Sequence, residues 1–330
     1  MNKTNKEYRY HYEKLNQSQK NVYEIIEKTI RSFKNEVKLT GIHVNVLNII
    51  FESLLLDNAD IFYVDSYRFT KDLYKQNIVF RPNYKYSTAE TKQYKALLEI
   101  SLSTFINPTK NKNIYEKVQF VHDQILDSVV YDNTFMDISH TALSVAVKKT
   151  AVCEGIAKYV KLAFDGLAIN SAVITGLATD PSIGQSKSEA HAWNIVEVNN
   201  NWYHLDVTFD LTLKHNRNRY DYFLIGNDEI IKDHSTNTKL PIISPEPMDY
   251  YSSKGLAVAK SNELAQLINN KIRNGERIIQ FKLLNVRDGL NPVNNVLKVA
   301  KQQCQQIFKG SYFINTRYNS ALWVFELEIS

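Results

Sequence analysis

The chain has 330 residues, of which 44% are hydrophobic and 23% charged, a composition typical of a folded globular protein of two or three domains. Lysine and arginine exceed aspartate and glutamate by 40 − 35 = 5, and this excess is spread along the chain, so we expect no nucleic-acid partner. The two cysteines, Cys153 and Cys304, are too few for a disulfide scaffold, an iron–sulfur cluster or a thiolate zinc site built from this chain alone.

The first residues are positively charged like a leader peptide, but His11, Glu13 and Lys14 follow in place of an apolar stretch. The sequence therefore predicts no signal peptide and a cytoplasmic protein; the alternative is a secreted or cell-surface protein whose leader has been removed. The most apolar window, residues 46–56, is too short to span a bilayer and predicts a buried helix.

Residues 1–110 predict a mostly helical region with a β-hairpin. A first helix starts behind a polar cap at residues 16–18, and its apolar face consists of Val22, Ile25, Ile26, Ile30 and Phe33. Further helices are predicted over 44–56 and 88–105, and runs at 61–64 and 77–80, rich in β-branched and aromatic residues, predict the two hairpin strands. The polar stretch 107–113, with its Asn-Pro pair, predicts a break and a domain boundary.

Residues 111–247 predict the core of the protein, and residues 248–330 a small α+β module. The core begins with a helix whose apolar stripe runs from Tyr115 to Val129, and it ends in a cluster of prolines at 241, 245 and 247. The module should contain helices over 262–272 and 293–308 and strands over 278–284, 311–315 and 321–329. Cys304 falls among helical positions and is predicted to be a buried, unreactive thiol.

Cys153 is predicted to lie in the first turn of a helix, because an apolar stripe at helical spacing begins at Ile156. Unpaired backbone N–H groups and the helix dipole stabilise negative charge there, so the position favours a thiolate. Gly155 would let another segment approach closely. The alternative is a small apolar residue that fills a gap, which for an isolated cysteine would be the better interpretation.

The segment from His191 to Phe209 consists of two β-rich runs around Asn199-Asn200 and predicts a hairpin. With a two-residue loop, the residue numbers of facing pairs sum to 399. His191 and Asp206 then lie diagonally on one face of the sheet, about 7–8 Å apart at their Cα atoms, whereas a one-residue slip would separate them. Together with Cys153 they are the parts of a Cys-His-Asp triad.

Several sequence blocks resemble the core of the bacterial transglutaminase-like family, relatives of papain-like thiol enzymes. The blocks are Cys153-Glu154-Gly155-x-Ala157, Ile174-Thr175-Gly176, His191-Ala192-Trp193-Asn194, Tyr203-His204-Leu205-Asp206-Val207-Thr208, Tyr222-Phe223-Leu224 and the stretch from Asp228 to His234. The resemblance covers residues 114–241, and the intervals of 191 − 153 = 38 and 206 − 191 = 15 residues also suit the family.

The resemblance implies an α+β fold with a papain-like core, in which a central helix bearing Cys153 packs against an antiparallel sheet bearing His191 and Asp206. It implies that Cys153 is the nucleophile, His191 the general base and acid, and Asp206 the orienting carboxylate. The sequence departs from the family pattern at Ile156, where many relatives have tyrosine, and at Leu143, where they have an aromatic residue.

Papain-like enzymes complete the oxyanion hole with a side-chain donor upstream of the cysteine. The backbone N–H of Cys153 is one expected donor, and the candidates for the other are Ser144, Thr141 and His140. Trp193, beside the base, is expected to form a wall of the cleft, while Trp202 is expected to pack. His204 and His122 are expected to be structural, and no histidine pair or carboxylate cluster predicts a metal or another cofactor.

The predicted function is acyl chemistry at an amide of a protein or peptide, through a thioester on Cys153. Water as acceptor would make the protein a cysteine protease or amidase, and an amine would make it a protein cross-linker. The third possibility is a weak or inactive binding module on the same fold. We favour hydrolysis over cross-linking, and the sequence leaves the oligomeric state open.

Overall fold

A five-stranded antiparallel sheet occupies the middle of the chain, with a three-stranded sheet before it in sequence and a four-stranded sheet after it. This computed structural model describes residues 8–72, 77–179, 187–286 and 291–330. The mixture of helices with largely antiparallel sheets confirms the predicted α+β class. Residues 1–7, where a leader was sought, lie outside the described ranges, and within those ranges we find no helix long and apolar enough to cross a membrane.

The N-terminal region combines helices with a small antiparallel sheet. The helices are α1 (Tyr10–Lys14), α2 (Gln17–Arg31), α3 (Leu47–Asp57), α4 (Thr88–Ser103) and α5 (Ile106–Thr109). The strands are β1 (Val37–Leu39), β2 (Val64–Asp72) and β3 (Asn77–Tyr84), in the order β1-β3-β2. Asn16 and Ser87 cap α2 and α4 through capping boxes, which confirms the predicted polar start of α2.

Two local predictions in this region were wrong. The first hairpin strand runs over β2, so that only Val64 of the predicted 61–64 belongs to it; Ile61, Phe62 and Tyr63 are apolar because they are buried in the connection from α3. The predicted break at 107–113 contains the end of α5, which includes Pro108. A proline is tolerated there because first-turn N–H groups have no partner within the helix.

The central region holds the predicted papain-like core. Its helices are α6 (Ile114–Ser128), α7 (Ala142–Lys148), α8 (Cys153–Gly166), α9 (Val207–Leu213) and α10 (Asn227–Ile230). Its strands are β4 (Val130–Tyr131), β5 (Thr150–Ala151), β6 (Ser171–Ala178), β7 (Glu189–Val198), β8 (Asn201–Leu205), β9 (Phe223–Ile225) and β10 (His234–Ser235). The order of the large sheet is β10-β6-β7-β8-β9, and β4 and β5 form a separate parallel pair.

Helix α8 packs against β6 and β7, as predicted. Ala157 of the helix lies against Val173 and Ala192, and the Asn194 side chain donates a hydrogen bond to the Ala157 carbonyl at 3.0 Å. Gly155 is required at the start of α8, because a Cβ atom there would lie 2.2 Å from the Ser139 carbonyl oxygen. The first turn of α8 is thereby held tightly against the preceding segment, which fixes the position of Cys153.

The C-terminal module is an α+β unit, as predicted. Its helices are α11 (Tyr250–Ser253), α12 (Ser261–Arg273) and α13 (Val293–Ile307), and its strands are β11 (Ala257–Val258), β12 (Ile278–Leu283), β13 (Ile314–Asn319) and β14 (Val324–Ile329). The sheet order is β11-β12-β14-β13. Cys304 is fully buried in α13, as predicted.

Strand β13 begins three residues later than predicted. Its residues 315–317 are polar and it lies at the edge of its sheet, so the apolar residues before it were mistaken for its start. Leu322 and Val324 of the module join the main hydrophobic core, which also contains side chains from the N-terminal and central regions. The proposed boundaries near residues 110 and 247 stay predictions.

Candidate active site

The hairpin of β7 and β8 has the predicted register. Val198 pairs with Asn201 and Asn194 with Leu205, so both sums are 399. Asn199 and Asn200 have φ values of 53° and 64°, as the two central residues of a type I′ turn require. The two-residue loop therefore sets which side chains of the hairpin can meet.

Asp206 lies just beyond β8, where it caps helix α9. Its Oδ1 accepts hydrogen bonds from the backbone N–H groups of Thr208 at 2.9 Å and Phe209 at 3.1 Å. This capping fixes the carboxylate and leaves Oδ2 for other partners. The sequence predicted the right neighbour for His191 but placed the carboxylate within the strand.

His191 and Asp206 form a short, buried hydrogen bond. The distance between His191 Nε2 and Asp206 Oδ2 is 2.6 Å, and the two side chains are 8% and 1% exposed. The imidazole is packed between aromatic rings, with its centroid 4.6 Å from that of Phe209 and 6.1 Å from that of Trp193. Rotation of the ring would break these contacts, so the second ring nitrogen has a defined direction.

Cys153 is the first residue of α8 and is partly exposed. Its side chain is a neighbour of the His191 ring, and because Nε2 is bound to Asp206, Nδ1 is the nitrogen left for the sulfur. Burial alone would lower the pKa of His191, but Asp206 and Cys153 outweigh it and raise the pKa to about 10. The structure thus brings the three predicted residues together, with His191 as an imidazolium at neutral pH.

A second histidine, His234, also contacts Asp206. The distance between His234 Nε2 and Asp206 Oδ2 is 3.0 Å. Burial would raise the pKa of Asp206, but His191 and His234 outweigh it and hold the pKa well below its usual range. Sequence reasoning missed this role of His234, because no local spacing rule connects it with Asp206.

The three residues His191, Asp206 and His234 are close enough together to be considered as metal ligands. Two nitrogen or oxygen ligands of a tetrahedral ion, at about 2.0–2.1 Å from the metal, would be about 3.3 Å apart. Here both Nε2 atoms lie nearer than that to one carboxylate oxygen, at 2.6 and 3.0 Å. These distances fit hydrogen bonds better than shared coordination.

Tyr131, which the sequence analysis did not select, lies beside the cysteine. It ends strand β4, and its hydroxyl lies near the backbone N–H of Cys153. Burial, and after it the nearby Cys153, raises the pKa of Tyr131 to about 12, so the phenol keeps its proton. The parallel pairing of Tyr131 with Ala151 in β5 sets this position.

The predicted oxyanion donors have other environments. Ser144 is fully buried and its hydroxyl has no partner among the described residues. The Thr141 hydroxyl donates to the Ile138 carbonyl at 2.7 Å, and the exposed His140 pairs with Glu154 at 3.0 Å. The Ser144 hydroxyl is therefore enclosed, and the Thr141 hydroxyl already has an acceptor.

The expectation for Trp193 was wrong. It is 1% exposed, and its indole N–H donates to His204 Nδ1 at 3.1 Å, so it packs behind His191 and forms no wall of a cleft. His204 in turn bonds Asn227 at 3.1 Å, and burial lowers its pKa to about 4. The neutral His204 is a structural residue, as predicted.

A cleft of about 210 Å³ opens beside His191. It lies on the side of the imidazole where Tyr131 and helix α9 meet. Residues that line it include Tyr131, Asn133, Phe135, Lys187, Glu189 and Thr208.

The protein thus has an α+β fold. In its central region, a cysteine at the start of a helix lies beside a histidine that is bound to a buried carboxylate. Residues 103–207 match the model of the transglutaminase-like superfamily, and this match includes Cys153, His191 and Asp206. This part of the chain is therefore similar to the core of the transglutaminase-like superfamily.

Two solved structures are similar to parts of the chain. One is a proposed cysteine protease from Cytophaga hutchinsonii, with 15% identity and a TM-score of 0.29 over 43% of this chain and 61% of that one. The other is described as a TGase, with 14% identity and a TM-score of 0.32 over 48% of each chain. The similarity thus spans about half to three-fifths of those proteins. No curated protein matches the sequence significantly.

Proposed function

We propose that the protein cleaves an amide bond of a protein or peptide substrate through a catalytic triad of Cys153, His191 and Asp206. One observation carries the proposal: His191 is bound to Asp206 at 2.6 Å through Nε2, and the cysteine that begins α8 is close enough to affect its pKa. Helix starts favour negative charge, and an imidazolium beside a thiol stabilises the thiolate. The arrangement supports an activated sulfur nucleophile.

In the proposed reaction the Cys153 thiolate attacks the amide carbonyl carbon and forms a C–S bond. The C–N bond breaks, and His191 gives its proton to the leaving amine, which leaves a thioester on Cys153. Water then attacks the thioester while His191 takes one of its protons. The carboxylic acid is released and the thiolate–imidazolium pair is restored.

The developing oxyanion would lie between the backbone N–H of Cys153 and the Tyr131 hydroxyl. The two groups are neighbours, and a carbonyl oxygen that enters between them would receive one bond from each. Fixed donors of this kind stabilise the transition state because they need no reorganisation. Tyr131 thus takes the part for which Ser144, Thr141 and His140 were considered.

Water is the acceptor that the cleft supports better. Asn133, Lys187, Glu189 and Thr208 line it together with aromatic residues. Such polar groups retain ordered water, and selective transfer to an amine would need water to be excluded. We therefore favour a cysteine protease or amidase over a cross-linking enzyme.

The test is incubation with a library of glutamine-containing peptides and a labelled primary amine, followed by mass spectrometry. Cleaved or deamidated peptides that depend on Cys153 would support hydrolysis, and labelled peptides would reassign the protein to acyl transfer. The variant Cys153→Ala is the negative control, and Cys304→Ala is its matched partner, because Cys304 is buried in another module. Equal products from the wild type and Cys153→Ala would contradict the proposal and favour a binding module.

A further inference from the structure

His234 lies between the carboxylates of Asp206 and Asp233, and it shares Asp206 Oδ2 with His191. We infer that His234 is a positioning residue of the proposed active site: it is a permanently charged imidazolium that holds Asp206 ionised and shifts the ionisation of the Cys153–His191 pair to lower pH. The inference rests on the proposed function in one respect: the proposed function makes Cys153 and His191 catalytic residues.

The hydrogen bonds of His234 require two ring protons. Its Nε2 lies 3.0 Å from Asp206 Oδ2, and its Nδ1 lies 2.6 Å from Asp233 Oδ1. An ionised carboxylate only accepts, and a neutral imidazole has a single N–H to donate. Because the residue is 4% exposed, water has little access to a ring nitrogen that lost its partner. Only the imidazolium form of His234 can therefore donate both hydrogen bonds, one to Asp206 and one to Asp233.

The surroundings of His234 contain few other ionisable groups. His191 of β7 lies 5.4 Å away between ring centroids, Tyr222 lies 5.5 Å away, and the neutral His204 of β8 is also near. Burial would lower the pKa of His234, but Asp206 and Asp233 outweigh it and raise the pKa. The rings of Phe209 and Trp193 fill further space around it, at 4.8 and 5.1 Å.

The polar chain continues from Asp233 into the C-terminal module. Tyr222 donates its hydroxyl proton to Asp233 Oδ2, and Asn319 of β13 donates a hydrogen bond to the Tyr222 oxygen at 3.1 Å. Asn319 is fully buried. Through these bonds the module helps to fix Asp233, and Asp233 in turn fixes the orientation of the His234 ring.

The positive charge of His234 affects both ionisations at the nucleophile. It favours the Cys153 thiolate and disfavours the His191 imidazolium, so both transitions occur at lower pH than they would without it. A variant that lacks this charge should therefore show both limbs of its pH profile at higher pH. If the substitution only disturbed packing, the rate would fall, but both limbs of the pH profile would stay at the wild-type pH.

The protonation state can be measured in the Cys153→Ala protein, which keeps His234 and needs no turnover. With ¹⁵N-labelled histidine, we expect NMR to show both ring nitrogens of His234 protonated from pH 5 to 8; the spectrum of His234→Gln would assign the signals by their loss. A His234 ring with one proton at pH 7 would overturn the inference.

The effect on the nucleophile can be measured by the rate of iodoacetamide alkylation of Cys153 from pH 4 to 11. The side chain introduced by His234→Gln can still donate to Asp206 but carries no charge, and we expect the profile of this variant to move up by about one pH unit. A profile that stays at the wild-type pH would overturn the role of His234. Neither measurement needs a substrate, so failure to find amide cleavage would count against the proposed function alone.

Discussion

Helix α9 holds two buried carboxylates, one turn apart, and each of them binds a histidine. Asp206 at the start of α9 is 2.6 Å from His191, and Asp210 within it is 3.0 Å from His122 of α6. Burial raises the pKa of Asp210 to about 6, whereas the pKa of Asp206 is held below its usual range because two imidazoles, those of His191 and His234, outweigh its burial. The carboxylates of two His–Asp pairs one turn apart on one helix therefore have pKa values shifted in opposite directions.

The comparison shows that a His–Asp pair is not in itself a site. His122 is fully buried, and its second nitrogen faces Asp123 at 3.0 Å. Asp210 also accepts from the backbone N–H of Tyr222 at 3.0 Å. This second pair ties α6 and α9 to the chain before β9. The His191–Asp206 pair differs from it because a cysteine and a cleft lie beside His191.

The largest contrast is expected between Asp206→Asn and Asp210→Asn. The amide introduced by Asp206→Asn would no longer hold His191 in the required tautomer, and we expect kcat/KM for amide cleavage to fall by about 10³–10⁴. Asp210→Asn should leave kcat/KM within about threefold and lower the free energy of unfolding by about 1–3 kcal/mol through the weakened bond to His122. Steady-state kinetics and urea unfolding of both variants make the comparison. Similar losses of kcat/KM in both would contradict the distinction.

A smaller loss of activity is expected for Tyr131→Phe. Removal of the hydroxyl takes away one proposed oxyanion donor, so kcat should fall by about 10²–10³. KM should change little, because the bond is made mainly in the transition state. Steady-state kinetics with one cleaved peptide checks this. An unchanged kcat would show that Tyr131 is not the second oxyanion donor, and Ser144, Thr141 and His140 would again be the candidates.

The His191–Asp206 pair should also contribute to the free energy of unfolding, and this contribution should depend on pH. The pKa of His191 rises from its ordinary value of 6.5 to about 10 on folding. The stabilisation is thus fully present below pH 6.5 and is lost as the pH rises through about 10. The difference in unfolding free energy between wild type and His191→Gln should therefore shrink between pH 6.5 and 10, as urea titrations can show. If the difference in unfolding free energy grew between pH 6.5 and 10, the pKa of His191 would not be raised by folding.

The smallest effect is expected for Ser144→Ala. The Ser144 hydroxyl is buried without a hydrogen-bond partner among the residues that the structure describes, so its removal relieves a desolvation cost. We expect the unfolding free energy to rise by at most about 1 kcal/mol, with kcat unchanged. Thermal unfolding and peptide kinetics would test both. A tenfold loss of kcat would show that this hydroxyl takes part in the reaction.

The sequence could predict the site where local rules determine the structure. The Asn199-Asn200 turn sets the hairpin register, and that register places His191 near Asp206. Tyr131 and His234 escaped prediction because long-range contacts place them: Tyr131 by the pairing of β4 with β5, and His234 by the pairing of β10 with β6. The long helices with a strong apolar stripe were predicted best, namely α2, α6, α8, α12 and α13. The strands β2 and β13 were misplaced because much of their sequence is polar.

The most direct test of the central claim is the pH dependence of iodoacetamide alkylation, read residue by residue by peptide mapping. If Cys153 is paired with His191, it should react well below pH 7 and much faster than the buried Cys304, and His191→Gln should move its reaction to the alkaline range of an ordinary thiol near pH 8.5. Cys153 that reacts only above pH 8 in the wild type, with no change in His191→Gln, would contradict the account.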